Sequence, residues 1–210
     1  MFQKQLTLTM KTIDFYYSIG SRYSYLASTQ IETLERELNC QVLWHPVNSV
    51  RLIERDGTSP FKGAPISGQY EWAYREQDAK RWAKLYHVPY REPRGKVKFD
   101  PELLALACTT AKRFGKVEEY SRLLFKAVFE NSLPAIDEGE CVVLAESCGM
   151  KENNFQSQLT AKETINQLEA TIDRALNYGV FGVPTFVVSG QLFWGNDRIV
   201  LLRHHLKTEK

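Results

Sequence analysis

The sequence predicts an α/β fold in which a β-α-β unit and a β-β-α unit flank a long helical block. Three observations carry that prediction. Short runs rich in β-branched and aromatic residues lie near the two ends of the chain, at 12–17 and 41–47 and again at 185–188 and 191–194. The stretch between them, 56–178, holds little strand signal but repeated helix start and stop residues. At 210 residues the chain suits one domain, or one domain with an inserted subdomain, and is tight for two unrelated ones.

The elements follow in order. After the first run (TIDFYY), Ala27, Ile31, Leu34 and Leu38 recur at helical spacing, with Ser21 at the entrance as a cap or first-turn residue. The second run (QVLWHPV) is ended by Pro46. Inside the block, Asp100-Pro101-Glu102 supplies a cap, a first-turn proline and an acidic first turn. Leu103, Leu106, Ala107 and Phe114 then form one face, and Gly115 is the stop. Val117, Tyr120, Leu124 and Val128 continue as a second helix. Asp137 with Glu140, and Thr160 with Glu163, have capping-box spacing before stripes that stop at Gly149 and Gly179. Past Gly179 the β-rich runs return, separated by the hairpin signal Ser189-Gly190, and a last helix over 197–206 closes the chain.

This order is that of a thioredoxin-like fold (βαβ…ββα) with an inserted all-helical domain. The expected division gives 10–55 and 179–210 to the thioredoxin-like domain and 56–178 to the insertion. Met10 directly precedes the first strand pattern, so 1–9 is expected to be a disordered extension.

Composition excludes several function classes. With 27 Lys+Arg against 25 Asp+Glu and 43% hydrophobic residues, neither a nucleic-acid partner nor another polyanion is indicated. The start lacks a secretory pattern and no apolar run reaches membrane-spanning length, so the expected location is cytoplasmic, away from membrane. Cys40, Cys108, Cys141 and Cys148 show neither C-x-x-C nor metal-ligand spacing, which predicts no redox pair and no metal; Cys141 and Cys148 share a helical stripe with Leu144 and Ala145 and read as core. His45, His87, His204 and His205 have no metal-like spacing and no visible partners, so no chemistry is assigned to them. Gly179-Val180-Phe181-Gly182 precedes a strand and lacks the dinucleotide-binding pattern.

The segment GVFGVPTFVVSGQLFWGNDR, 179–198, holds the chemical signal. In a thioredoxin-like fold the proline before the third strand is cis, and the residue before it keeps its backbone groups free to pair with an extended peptide. Val183-Pro184 stands in that place, although local sequence alone also fits a trans surface turn. Where a redox enzyme would carry C-x-x-C the chain reads Ser21-Arg22-Tyr23-Ser24. Without sulfur there, thiol chemistry needs an external thiol. A serine hydroxyl at a helix start can donate to a bound thiolate, which glutathione would supply; Ser21 reads equally as a simple cap.

The segments DFYYSIGSRYSYLA (14–27), YREQDAKRWAKLYHVP (74–89) and VFGVPTFVVSGQLFWGNDR (180–198) together resemble the 2-hydroxychromene-2-carboxylate isomerases. Those enzymes group with kappa-class glutathione transferases in the DsbA superfamily. The resemblance spans nearly the whole chain and implies glutathione as cofactor. It assigns Ser21 to thiol activation, the Val183 backbone beside Pro184 to the tripeptide, and Asp197 with Asn196 to the γ-glutamyl end. It further implies a small aromatic substrate, a role in aromatic-compound catabolism and a homodimer. The implied reaction is a reversible thiolate addition that opens a ring and lets a former double bond rotate. A kappa-like glutathione S-transferase is the close alternative, and a non-catalytic thioredoxin-like binding module is the alternative of another class.

Two positions depart from the family's usual pattern: Arg22 stands where a proline follows the active serine, and Ser18 where an acidic residue is usual. Arg22 is expected either over a substrate carboxylate or out in solvent. In 57–74, where the family commonly offers glutathione an asparagine and a lysine, Thr58 and Lys62 are the nearest candidates. Trp82 is expected to be core.

Overall fold

Strand β1 (Lys11–Tyr17) lies inside a four-stranded sheet and has β2 (Cys40–Pro46) parallel to it on one side, in register from Lys11 opposite Cys40 to Tyr17 opposite Pro46. On its other side runs β5 (Thr185–Val188), antiparallel, with Tyr16 opposite Thr185, and β6 (Gln191–Trp194) completes the order β2-β1-β5-β6. The computed structural model describes residues 10–57, 68, 71–131 and 133–208. The expected extension 1–9 and the candidates Thr58 and Lys62 lie outside the described residues. In the β5–β6 turn, Ser189 and Gly190 both have positive φ, 49° and 77°, as a two-residue type I′ hairpin requires.

Alternation along β1 divides the core in two. Ile13, Phe15 and Tyr17 face the larger cluster, where Phe15 stacks on Phe186 and meets Trp44 edge-on. Tyr16 faces the other side with Val187, Leu168, Ile172 and Ala175. Both faces are covered, so the β1 pattern is nearly continuous apolar.

Two helices connect β1 and β2 where the periodicity suggested one: α1 (Arg22–Ser28) and α2 (Ile31–Leu38). The break has a local cause. Ser28 Oγ donates to the Tyr25 carbonyl and Thr29 Oγ1 to the Leu26 carbonyl, both at 2.7 Å, and such back-bonds weaken helix continuation.

The central stretch folds as α3 (Ser49–Asp56), α4 (Trp72–Tyr86), α5 (Pro101–Arg113), α6 (Val117–Lys126) running into a π-turn, α7 (Glu138–Ser147), α8 (Glu152–Leu159) and α9 (Lys162–Asn177). Asp100 accepts the Glu102 amide at 2.9 Å and Asp137 the Glu140 amide at 3.0 Å, so two of the expected caps form. The third does not. Thr160 ends α8, a helix the polar KENNFQSQL segment conceals, and Ala161 precedes α9 without a side-chain cap. Two two-residue strands, β3 (Lys98–Phe99) and β4 (Ala135–Ile136), also pair in parallel within this block, too short for any periodicity to show. After a 3-10 turn at Asn196–Arg198, α10 (Ile199–Thr208) closes the chain.

The central helices share their core with the thioredoxin-like elements. Tyr25 of α1 stacks on Phe129 with ring centroids 5.1 Å apart, and its hydroxyl donates to the Pro89 carbonyl. The Tyr17 hydroxyl meets Ser121 of α6. A buried side chain of this size contributes about 1.5–3 kcal/mol. Trp82, expected as core, is partly buried and packs against this cluster.

His45, which shows no partner in the sequence, has two in the fold. Its Nε2 lies 2.6 Å from Asp14 Oδ1 and its Nδ1 3.0 Å from Lys112 Nζ, while Arg174 reaches the same Asp14 oxygen at 2.8 Å. Burial lowers the His45 pKa, so the ring is neutral, donating through Nε2 and accepting the lysine through Nδ1. The partners come from β1, α5 and α9, far apart in the chain.

Candidate functional site

The loop after β1 delivers Ser21. Its amide donates to the Ser18 carbonyl at 3.0 Å, its backbone is extended, and its Oγ accepts the Ser24 amide at 3.2 Å as the cap of α1. Accepting uses only lone pairs, so the half-buried hydroxyl keeps its proton for donation outward. The first turn of α1 contains no acidic residue to compete with an anion there.

No cysteine stands in the Ser21–Ser24 segment. All four cysteines are free and buried, and burial pushes the Cys108 and Cys141 thiols up to about 12. The chain holds no thiolate of its own at Ser21.

The Val183-Pro184 peptide bond is cis. Neither the amide nor the carbonyl of Val183 forms a backbone hydrogen bond with another described residue. Both neighbours are fixed: Thr185 Oγ1 donates to the Gly182 carbonyl at 2.7 Å, and the Pro184 carbonyl accepts the Gly195 amide at 2.9 Å. Gly182 is small of necessity, since a Cβ there would stand 2.9 Å from the Trp194 indole nitrogen. Because Thr185 is paired with Tyr16, the turn lies at the end of β1 from which the chain runs to Ser21.

The WGNDR segment completes the arrangement. Gly195 has φ of 117°, and a Cβ there would collide with the Asp197 carboxylate. The 3-10 turn that follows packs against α1, which brings Asn196 and Asp197 to the Ser21 helix. Asn196 is buried, and its Nδ2 has no partner among the described residues. Its carbonyl accepts the Tyr86 hydroxyl at 3.2 Å, so α4 also holds this turn. The Asp197 side chain remains 44% exposed, open to a cation beyond its contact with Arg198 at 3.6 Å.

Arg22 does not project into solvent. It is 7% exposed, and its Nη2 donates to Glu92 Oε1 at 3.1 Å; a loop seventy residues along in sequence supplies the acid that draws it inward. Its guanidinium carbon stands 5.2 Å from the Trp72 ring centroid. Ser18, in the position usual for an acid, is buried, and its amide points at Ser24 Oγ at 3.4 Å.

The fold thus sets the Val183-Pro184 turn beside the end of β1 that leads to Ser21 and Arg22, and packs the turn holding Asn196 and Asp197 against α1, with Thr58 and Lys62 outside the described residues. Sequence reasoning passed over Trp72, Tyr86, Glu92 and Arg94. The signals were present but weak: Trp72 and Arg75 lie three apart on one helix, and YREPRG (90–95) concentrates charge and a tyrosine in a proline turn. Among the described residues no three His, Cys, Asp or Glu side chains cluster as metal ligands, and no helix is long and apolar enough to cross a membrane.

Comparison with known proteins places the chain. A 2-hydroxychromene-2-carboxylate isomerase of Sphingobium xenophagum is 27% identical to it, covering 93% of this chain and 98% of that one. The human glutathione S-transferase kappa 1 is 25% identical, covering 93% and 91%. A solved structure of a 2-hydroxychromene-2-carboxylate isomerase superposes with a TM-score of 0.80 at 22% identity, over 93% of this chain and 94% of that one. A family model matches residues 12–207, and the chain belongs to the DSBA-like thioredoxin domain family.

Proposed function

We propose that the protein is a glutathione-dependent isomerase acting on 2-hydroxychromene-2-carboxylate or a related conjugated aromatic-degradation intermediate. The observation that supports the reading is a serine hydroxyl capping α1, just past the end of β1 beside which lies a cis-proline turn whose Val183 backbone forms no backbone hydrogen bond with another described residue. The relatives' names, a 2-hydroxychromene-2-carboxylate isomerase and a glutathione S-transferase, support the reading.

The residues fit the tripeptide. The Val183 amide and carbonyl suit an extended peptide lying alongside as an added strand. Asp197, exposed and acidic, suits the γ-glutamyl ammonium, and the orphaned Asn196 Nδ2 is a buried donor in search of an acceptor. The Ser21 hydroxyl donates toward the sulfur and lowers its pKa by favouring the charged form. When bound, glutathione would supply a thiolate able to add reversibly to a conjugated substrate, which would free a former double bond to rotate. The Ser21 hydroxyl would donate equally to the sulfur as it leaves, holding it as an anion. Arg22 serves the substrate side. Four buried thiols and no disulfide are in keeping with a reducing cytoplasm.

The transferase reading differs in one outcome, release of the adduct. Turnover of a 2-hydroxychromene-2-carboxylate in the presence of limiting glutathione separates them: full recovery of the thiol after many turnovers supports the isomerase, and stoichiometric loss supports the transferase.

A further inference from the structure

Trp72, at the start of α4, is 45% exposed and surrounded by guanidinium groups: Arg94 at 4.4 Å from the ring centroid, Arg75 at 4.9 Å and Arg22 at 5.2 Å. Cations favour an aromatic face, but three together repel, and the charge of Arg22 does act on Arg75. Glu92 pairs with Arg22, and Arg75 is engaged with Tyr23. The capacity of Glu92 is then taken up, because Oε1 accepts Arg22 Nη2 at 3.1 Å and the Arg94 amide at 3.2 Å, and Oε2 accepts the Tyr90 hydroxyl at 2.6 Å. The other acids nearby are engaged as well: Asp78 accepts the Tyr23 hydroxyl at 3.0 Å, and Glu76 pairs with Lys80 at 2.6 Å.

One donor is left over. Arg22 Nη1 is buried and has no hydrogen-bond partner among the described residues, on a side chain only 7% exposed. A buried guanidinium nitrogen without an acceptor costs free energy that an anion delivered to that point would recover. The guanidinium fork fits a flat, two-oxygen acceptor best.

We propose that Arg22, Arg94 and Trp72 form a docking subsite for the carboxylate of the second, non-thiol substrate, a planar aromatic or conjugated acid. Glu92 fixes the Arg22 fork, whose planar geometry suits the two coplanar oxygens of a carboxylate better than a tetrahedral oxyanion. Arg22 directly follows Ser21 in the chain, which ties the docked acid to the start of α1. The inference rests on the isomerase reading for the identity of the second substrate; binding of the acid itself requires no glutathione.

The test is calorimetric titration, without glutathione, using salicylate, its neutral amide and inorganic phosphate as probes. Wild type is compared with Arg94→Ala and with the double variant Arg22→Met/Glu92→Gln, which removes the buried pair as a unit. Wild type is expected to bind the acid at least about tenfold more tightly than the amide, as expected for a charge-assisted hydrogen bond. Arg94→Ala, on an exposed side chain, is expected to weaken acid binding about threefold or more, and the double variant about tenfold or more. Equal affinity for acid and amide, tighter binding of phosphate than of salicylate, or unchanged affinity in Arg94→Ala each overturns the subsite. A protein that binds salicylate on these residues but not glutathione keeps the subsite and loses the reaction proposed above. Glutathione binding without salicylate binding overturns the subsite and leaves that reaction standing.

Discussion

The Gly195 amide donates to the Pro184 carbonyl at 2.9 Å, which makes the turn before β5 and the turn after β6 one structure. Four residues of hairpin strand on each side lead back to the same point. The backbone that would receive a peptide and the carboxylate that would receive its amino end are therefore joined at the open end of the β5–β6 ladder by this hydrogen bond.

Gly195 sustains this join. With φ of 117° and the Asp197 carboxylate in the way of any Cβ, Gly195→Ala is expected to cost about 1–3 kcal/mol, measured as a lowered urea midpoint at unchanged slope. Asp197→Ala, at an exposed position, should leave that midpoint in place and reduce glutathione affinity about tenfold.

The Arg22–Glu92 pair is buried on both sides, at 7% and 6% exposure. Removing one member strands the other, so Glu92→Ala is expected to destabilise the fold by about 3–5 kcal/mol. Arg22→Met/Glu92→Gln should recover most of that loss in the same urea titration. Equal destabilisation by the single and the double variant would show that the pairing is not what matters.

Acid should weaken the protein before its carboxylates titrate. His45 is held neutral by burial, with its pKa below the ordinary 6.5, and protonation would set its charge against Lys112 and Arg174 across from Asp14. The unfolded chain takes up this proton first, so stability is complete above the ordinary histidine value and falls as pH drops below it. Asp14 acts in the same sense but lower: burial raises its pKa, the His45 hydrogen bond and the charges of His45 and Arg174 outweigh that, and its loss comes below the ordinary 3.8. A thermal midpoint measured from about pH 7 to about pH 5 should decline in wild type and decline less steeply in His45→Gln.

Ser21 has a structural duty as well as the proposed chemical one. Loss of its cap to the Ser24 amide in Ser21→Ala is expected to cost about 1 kcal/mol. Ser21→Asp keeps an oxygen acceptor for that amide but brings negative charge toward the sulfur; it should restore stability and not thiol ionisation.

How much of the fold and site was legible beforehand depended on whether the cause was local. Ser189-Gly190 and the Asp100 and Asp137 caps are written in adjacent residues, and the cis Val183-Pro184 bond followed from the strand-helix order around it. Thr160 failed because one threonine sits between two helices and terminates the first; spacing alone does not rank the two uses. The break between α1 and α2 lay in two hydroxyl groups bonding back to carbonyls, which periodicity does not register. Arg22 and His45 were beyond reach for another reason. Their partners, Glu92 and Lys112, arrive only through tertiary folding.

The most direct measurement is calorimetric titration of wild type and Ser21→Ala with glutathione, paired with the ultraviolet absorbance of the bound thiolate as pH is varied. Wild type should bind and show the thiol ionised near neutral pH, whereas Ser21→Ala should bind with similar affinity and ionise only at the pH of the free thiol. No binding by wild type at millimolar glutathione, or the same bound-thiol ionisation in both proteins, would contradict the role given to Ser21.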